Sequence, residues 1–212
     1  MTDHHPSRGF TLIELLIVIS ILGVLAAVLL PNILGVGATA EETATKATML
    51  QLETACKTFH TEHGYYPTDD LKMLRAGGAK PKWKSDNGKN TGIESLVVLV
   101  SQSRKGGTDL GGLADSLVNT DGDTNGAPLP LLGGRRDRPE VADAWGTPLA
   151  YFAKLNMDKP QLVVPAPDEA PVQVKAMRRA DGAFYGQGKY QFLSAGRDLT
   201  FGTDDDLVWP EN

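Results

Sequence analysis

Hydrophobic residues run almost without interruption from position 10 to position 30, broken only by Thr11, Glu14, Ser20 and Gly23. Such a run has no polar face, so it predicts a helix surrounded by apolar material on all sides. At about 1.5 Å per residue its length approaches the ~30 Å hydrocarbon core of a bilayer. Pro31 then interrupts the pattern, and Gly35 and Gly37 follow, a combination that weakens backbone hydrogen bonding and permits bending or local melting. From Glu41 the pattern turns amphipathic. Met49, Leu52, Cys56 and Phe59 recur at helical spacing on one face while Glu42, Lys46 and Glu53 point elsewhere, which predicts a helix over about 41–63 lying on a globular domain and stopped by Gly64.

Beyond Gly64 the pattern shortens. Tyr65-Tyr66-Pro67-Thr68 predicts an extended segment, with Thr68 capping a short helix through Leu71 and Leu74. Gly, Lys, Asn and Asp dominate 76–90, an exposed loop in which Trp83 is a local anchor or a contact to a neighbour. Thr91-Gly92-Ile93-Glu94 has capping-box spacing and predicts a helix through Leu96, Leu99 and Val100, ended by Gly106 and Gly107. The segment from Asp143 through Trp145, Gly146 and Pro148 to Phe152 reads as a tight turn entering a strand, with Leu149 and Tyr151 on one face and Phe152 on the other. Further strands are expected over 162–164, 172–177 and 190–193. The fold class is α+β: a long N-terminal spine helix packed on a small antiparallel β-sheet domain.

Glu14 is the one carboxylate in the apolar run, and an ionised Glu at membrane depth costs roughly 2.5–3.5 kcal/mol, so it calls for a partner or for a shallow position that reaches the headgroups. The order of segments adds to this. A secretory signal places its small-residue cleavage site after the apolar stretch, whereas here Gly9 precedes it, so that cleavage would leave the hydrophobic helix at the new N-terminus.

The junction Gly9-Phe10-Thr11-Leu12-Ile13-Glu14 resembles the type IV pilin and type II secretion pseudopilin family. That resemblance implies a leader over 1–9 cut after Gly9 by a prepilin peptidase, N-methylation of Phe10, and a membrane and filament-core helix over 10–34. It implies that Glu14 pairs with the amine of Phe10 of an adjacent subunit, and that Pro31 sits where spine helices of the family also carry a proline. It places the protein in the bacterial inner membrane before assembly, in contact with lipid, with its domain over 35–212 in the periplasm. Its partners would be copies of itself, minor pseudopilins and the inner-membrane assembly platform. Gly64-Tyr65-Tyr66-Pro67-Thr68 and Asp143-Ala144-Trp145-Gly146-Thr147-Pro148 also resemble segments of the major pseudopilin. Many major type IV pilins carry a C-terminal disulfide that a chain with Cys56 as its single cysteine cannot form, which favours a type II secretion pseudopilus over the alternative, a surface type IV pilus serving adhesion, motility or DNA uptake.

Two acidic segments suggest cation sites. In 194–207, Asp198, Asp204, Asp205 and Asp206 stand close in a loop without His or Cys, an oxygen-only set that suits a hard ion and favours calcium over magnesium. By resemblance to the C-terminal loop of major pseudopilins, Asp198, Asp205 and Asp206 are calcium ligands, and Asp204 is a solvated neighbour or an additional ligand. Family loops often have Pro where Arg197 stands and Gly where Leu199 stands, so the local turn differs. In 119–126, Asp121, Asp123 and Asn125 alternate before Gly126 like the first half of an EF-hand loop. The position that should supply the bidentate Glu is Leu132, and the same residues serve equally as turn formers; Asp137 or Glu140 could complete a different site.

Composition removes other functions. The net charge is −5, and Arg135, Arg136 and Arg138 are offset by Asp137, Glu140 and Asp143, so no nucleic-acid partner is expected. Cys56 lies on an apolar helix face, His60 and His63 read as a polar rim more readily than as a metal pair, and no phosphate-binding glycine loop occurs. The expectation is a structural subunit rather than an enzyme.

Overall fold

The computed structural model describes residues 11–70, 86–101 and 110–211. Leu71, Leu74, Trp83, Gly106 and Gly107, with Gly9 and Phe10, lie outside them. Two compact units are present, Met1–Ala40 and Glu41–Asn212, so the globular unit begins six residues later than the expected boundary at 35.

Helix α1 spans Leu12–His63. The expected interruption at Pro31 does not occur, because one missing N–H removes a single rung of a ladder otherwise supported on both sides. In the first unit the side chains from Leu12 to Leu25 are exposed around the whole circumference, as the unbroken apolar pattern requires. Among the described residues no helix is long and apolar enough by itself to cross a membrane. In the second unit Thr45, Met49, Leu52, Cys56 and Phe59 are buried along one face. The Gly64 N–H donates to the His60 carbonyl at 2.8 Å with φ at +78°, the left-handed geometry that ends a helix and that glycine adopts without strain.

Helix α2, Thr91–Ser101, is buried from Gly92 onward. Its tight docking depends on Gly92: a Cβ there would stand 2.3 Å from the Tyr151 carbonyl oxygen. Gly92→Ala is therefore expected to destabilise the domain by about 1–3 kcal/mol, because backbone rather than a movable side chain must give way. A melting temperature equal to that of the parent chain would show that α2 can shift.

Among the described residues nine short strands follow: β1 Leu117–Val118, β2 Thr124–Leu129, β3 Arg135–Asp137, β4 Glu140–Val141, β5 Ala150–Ala153, β6 Gln161–Val163, β7 Val172–Val174, β8 Tyr190–Ser194 and β9 Leu207–Trp209. All pairings are antiparallel: β1 with β4, β2 with β3, β6 with β7, and a three-stranded sheet in the order β5-β8-β9. The strand expected over 172–177 stops at Val174. Residue alternation on β5 follows the expected two-faced pattern. Leu149, Tyr151 and Ala153 join α1, α2, Tyr190 and Phe192 in the larger core, while Ala150 and Phe152 join Met157, Val163, Val174 and Leu193 in a smaller one. Tyr151, Tyr190 and Phe192 stack beneath the amphipathic half of α1 with centroid separations of 5.2–6.1 Å.

The turn entering β5 is built around Asp143. Its Oδ1 accepts the N–H groups of Trp145 at 3.0 Å and Thr147 at 2.9 Å, and its Oδ2 accepts the Ser194 hydroxyl at 2.6 Å. Ala144 N donates to Thr45 Oγ1 at 3.0 Å and Trp145 Nε1 donates to Glu41 Oε2 at 2.8 Å, which fastens this turn to the start of the amphipathic face of α1. Trp209 Nε1 likewise donates to Glu53 Oε2 at 2.8 Å, so β9 closes the sheet against the same helix.

Candidate functional site

At the N-terminal end of α1, Thr11 and Glu14 form a capping box. The Thr11 N–H and hydroxyl donate to Glu14 Oε2 at 2.9 and 2.8 Å, and the Glu14 N–H donates to Thr11 Oγ1 at 3.3 Å. Free N–H groups at a helix start need such acceptors, and the sequence Thr-x-x-Glu carries the signal. The membrane depth of the carboxylate does not point to Thr11; the Thr-x-x-Glu spacing does. These bonds hold the Glu14 carboxylate at the helix start.

In the C-terminal loop the carboxylates organise backbone. Asp198 Oδ1 accepts Thr200 N at 2.8 Å, Asp205 Oδ2 accepts Asp198 N at 2.9 Å, and Asp206 Oδ2 accepts Gly202 N at 2.8 Å. Asp204 is exposed. Burial, with Asp205 and Asp198 nearby, raises the Asp206 carboxyl, while the Thr203 hydroxyl and the Asp198 N–H lower that of Asp205. Asp198, Asp205 and Asp206 are not among the described groups whose carboxylate oxygens all converge within 4.8 Å. One oxygen nevertheless remains unspent, since Asp206 Oδ1 is buried with no hydrogen-bond partner. Leu199 adopts φ +60°, the conformation that the glycine common at this place would take without strain.

Elsewhere the structure assembles carboxylates from four segments. Asp86, Glu94 and Asp123 each bring an oxygen within 4.8 Å of the others, and so do Glu94, Asp121 and Glu140. Of the EF-like residues, Asp121 and Asp123 take part; Asn125 falls in β2 with its side chain outside those described. The arrangement is not an EF-hand, because the further ligands come from α2 and β4 rather than from the rest of one loop. Asp137 instead pairs with Arg135. The capping box expected at Thr91–Glu94 is also absent. The Thr91 hydroxyl donates to Asp86 at 3.1 Å, and Glu94 turns inward, 1 % exposed, with Oε2 3.9 Å from Arg138 Nη1.

Arg138, itself 1 % exposed, donates from Nη1 to Asp123 Oδ2 at 2.9 Å and lies 3.8 Å from Asp86 Oδ1. Glu140 accepts Asn90 Nδ2 at 2.8 Å and Thr120 N at 3.0 Å, and Asp121 accepts Asn87 Nδ2 at 3.0 Å. Burial, reinforced by Asp123 and Asp121, pushes the Glu94 carboxyl up to about 11. Burial also raises Glu140 to about 7, and raises Asp123 to about 6 against the opposing pull of Arg138.

His60 stacks on Tyr66 at 4.3 Å and His63 lies 4.3 Å from Phe59, so both imidazoles pack on aromatic rings at the helix end. Cys56 is fully buried and burial raises its thiol, leaving no thiolate for chemistry.

Comparison with known proteins places these features. Residues 5–30 match the prokaryotic N-terminal methylation motif. The type II secretion system core protein G of Escherichia coli is 31 % identical over 113 residues, covering 49 % of this chain and 78 % of that protein. Competence protein ComGC of Halalkalibacterium halodurans is 31 % identical over 98 residues, 46 % of this chain and 95 % of that protein. The type IV major pilin PilA of Myxococcus xanthus is 43 % identical over 60 residues, 28 % of this chain and 27 % of that protein. No solved structure matches.

Proposed function

The chain belongs to the type IV pilin and pseudopilin family, and from that premise we propose that it is the shaft subunit of a type II secretion pseudopilus, polymerising from the bacterial inner membrane to drive protein export. The observation that carries this reading is the apolar surface of α1, where Leu12, Leu15, Leu16, Ile19, Leu22 and Leu25 are each at least 50 % exposed. Each such side chain gains about 1.5–3 kcal/mol on leaving water, so the surface requires lipid before assembly and neighbouring helices after it. Prepilin peptidase would cut after Gly9, Phe10 would be methylated, and the domain would lie in the periplasm. Exchange of lipid for helices, repeated head to tail without closure, generates a filament. Minor pseudopilins and the inner-membrane platform would be its partners, and its role would be structural rather than catalytic.

Calcium is part of this proposal. The C-terminal loop fits the ion in one respect, the buried and unsatisfied Asp206 Oδ1; Asp198, Asp205 and Asp206 would hold it, with Asp204 beside them. When bound, the ion would supply charge neutralisation. The loop's own hydrogen bonds to Asp198 N, Thr200 N and Gly202 N keep the chain folded on itself at that edge.

A second reading, a surface type IV filament, is favoured by the similarity to PilA and ComGC. Deletion of the gene separates the two. Loss of folded proteins from the medium with surface fibres intact is the expected result; loss of long surface fibres with export intact would select the second reading.

A further inference from the structure

The five carboxylates of Asp86, Glu94, Asp121, Asp123 and Glu140 stand together, and among the described residues the guanidinium within ion-pair distance of the group is that of Arg138, with Arg135 acting on Glu140 from beyond that distance. Arg138 serves one side of the cluster, sitting 2.9 Å from Asp123, 3.8 Å from Asp86 and 3.9 Å from Glu94 Oε2. Asp121 and Glu140, which make no ion pair with Arg138, each bring an oxygen within 4.8 Å of one from Glu94. The position is unfavourable for a bare set of anions, because like charges in a protein interior repel strongly and a buried carboxylate is retained only when something compensates it. An independent observation points to what is missing. Glu94 is 1 % exposed, and its Oε1 is buried with no hydrogen-bond partner although the side chain reaches into the cluster. A buried oxygen so placed is one that a cation can engage.

We propose that Glu94, Asp121 and Glu140 form a calcium site, distinct from the C-terminal loop. The donors are all carboxylate oxygens, which select a hard ion. The three oxygens lie within 4.8 Å of one another, as ligands about 2.3–2.6 Å from one calcium ion can, and an all-protein carboxylate set suits calcium better than magnesium, which keeps several of its waters. The hydrogen bonds from Asn90 and Thr120 to Glu140, and from Asn87 to Asp121, orient the two carboxylates; Glu140 Oε1 is engaged by Asn90 and Thr120, and Glu140 Oε2 and the Asp121 oxygens each keep a lone pair. Arg138 and the ion divide the cluster between them: the guanidinium holds Asp123 and Asp86, the calcium holds Asp121 and Glu140, and Glu94 lies between. Calcium there ties α2 to β4 and to the loop after β1. Its place in the fold is the interior of the globular unit, so its effect is on the stability of that unit.

The test uses the full chain in detergent, stripped with a chelator and titrated with calcium chloride near neutral pH, in an Asp205→Asn/Asp206→Asn background that removes the C-terminal loop as a ligand. We expect this background variant to bind one equivalent of calcium and to melt at a higher temperature with it. Adding Glu94→Gln should weaken that binding by about tenfold or more, since it takes a carboxylate ligand away from the ion. Asp121→Asn, at a partly exposed position, gives the same readout should Glu94→Gln disturb folding. No calcium uptake by the background variant, or unchanged uptake after both substitutions, overturns the site and leaves a cluster neutralised by protons and Arg138 alone.

Discussion

Glu14→Ala leaves the chain inserted in the membrane and cleaved at its leader, and abolishes its assembly into filaments. Removing a carboxylate from the apolar helix lowers the cost of burying it by roughly 2.5–3.5 kcal/mol, so insertion is if anything easier. Losing the cap on Thr11 costs the helix end about 1 kcal/mol, which a helix as long as Leu12–His63 absorbs. What cannot be replaced is the negative charge at one fixed level of a helix that is otherwise apolar around its circumference. Apolar side chains slide past one another with little preference, whereas on the proposed pairing a charge meeting the Phe10 amine of the next subunit would fix axial register. The control is Glu14→Gln, which keeps an acceptor for the Thr11 N–H and removes the charge. Both variants should be found in the membrane fraction and be absent from sheared filament preparations. Normal filament yield from Glu14→Ala would remove the register role; normal yield from Glu14→Gln alone would reduce Glu14 to a helix cap.

The two Thr-x-x-Glu sequences show how far local pattern carries. At Thr11–Glu14 the reciprocal hydrogen bonds form, with no competing side chain among the described residues of the same chain. At Thr91–Glu94 the same spacing fails: Asp86 takes the Thr91 hydroxyl, and Glu94 is drawn toward Arg138 and three distant carboxylates. Residues that decide the second case are up to 46 positions away in sequence, as Glu140 is from Glu94, and local spacing contains no trace of them. The amphipathic face of α1 and the alternation on β5 were legible for the opposite reason. Each follows from which neighbours, at three or four residues or at two, must be buried together. Pairings such as β1 with β4 join strands of two residues, too short for any periodicity to show. The metal candidates divide along the same line. The EF-like spacing picked out Asp121 and Asp123, and the structure sets them in an acidic group whose other members, Asp86, Glu94 and Glu140, are brought there by tertiary structure.

Asp143→Ala should destabilise the globular unit by about 3 kcal/mol, the sum of several unpaired groups at about 1–3 kcal/mol each. The carboxylate is buried and raised by that burial, yet three donors converge on it: the N–H groups of Trp145 and Thr147 and the Ser194 hydroxyl. These hold together the turn into β5, the end of β8 and, through Gly196 N donating to Ser194 Oγ at 3.1 Å, the entrance of the C-terminal acidic loop. Alanine leaves the buried Thr147 N–H without its acceptor and frees Ser194 to rotate. For a domain of this size the loss corresponds to a fall of about 6–12 °C in melting temperature. Asp143→Asn should cost less, because Oδ1 still accepts both N–H groups and the amide can donate to Ser194 Oγ. The coupling gives a second readout, since a loop whose entrance is loosened must be ordered by the ion at greater entropic cost. Asp143→Ala should therefore weaken calcium binding at Asp198, Asp205 and Asp206, measured in a Glu94→Gln background. An unchanged melting temperature in Asp143→Ala would mean that the turn is held by Thr45 and Glu41 on α1, with the carboxylate redundant.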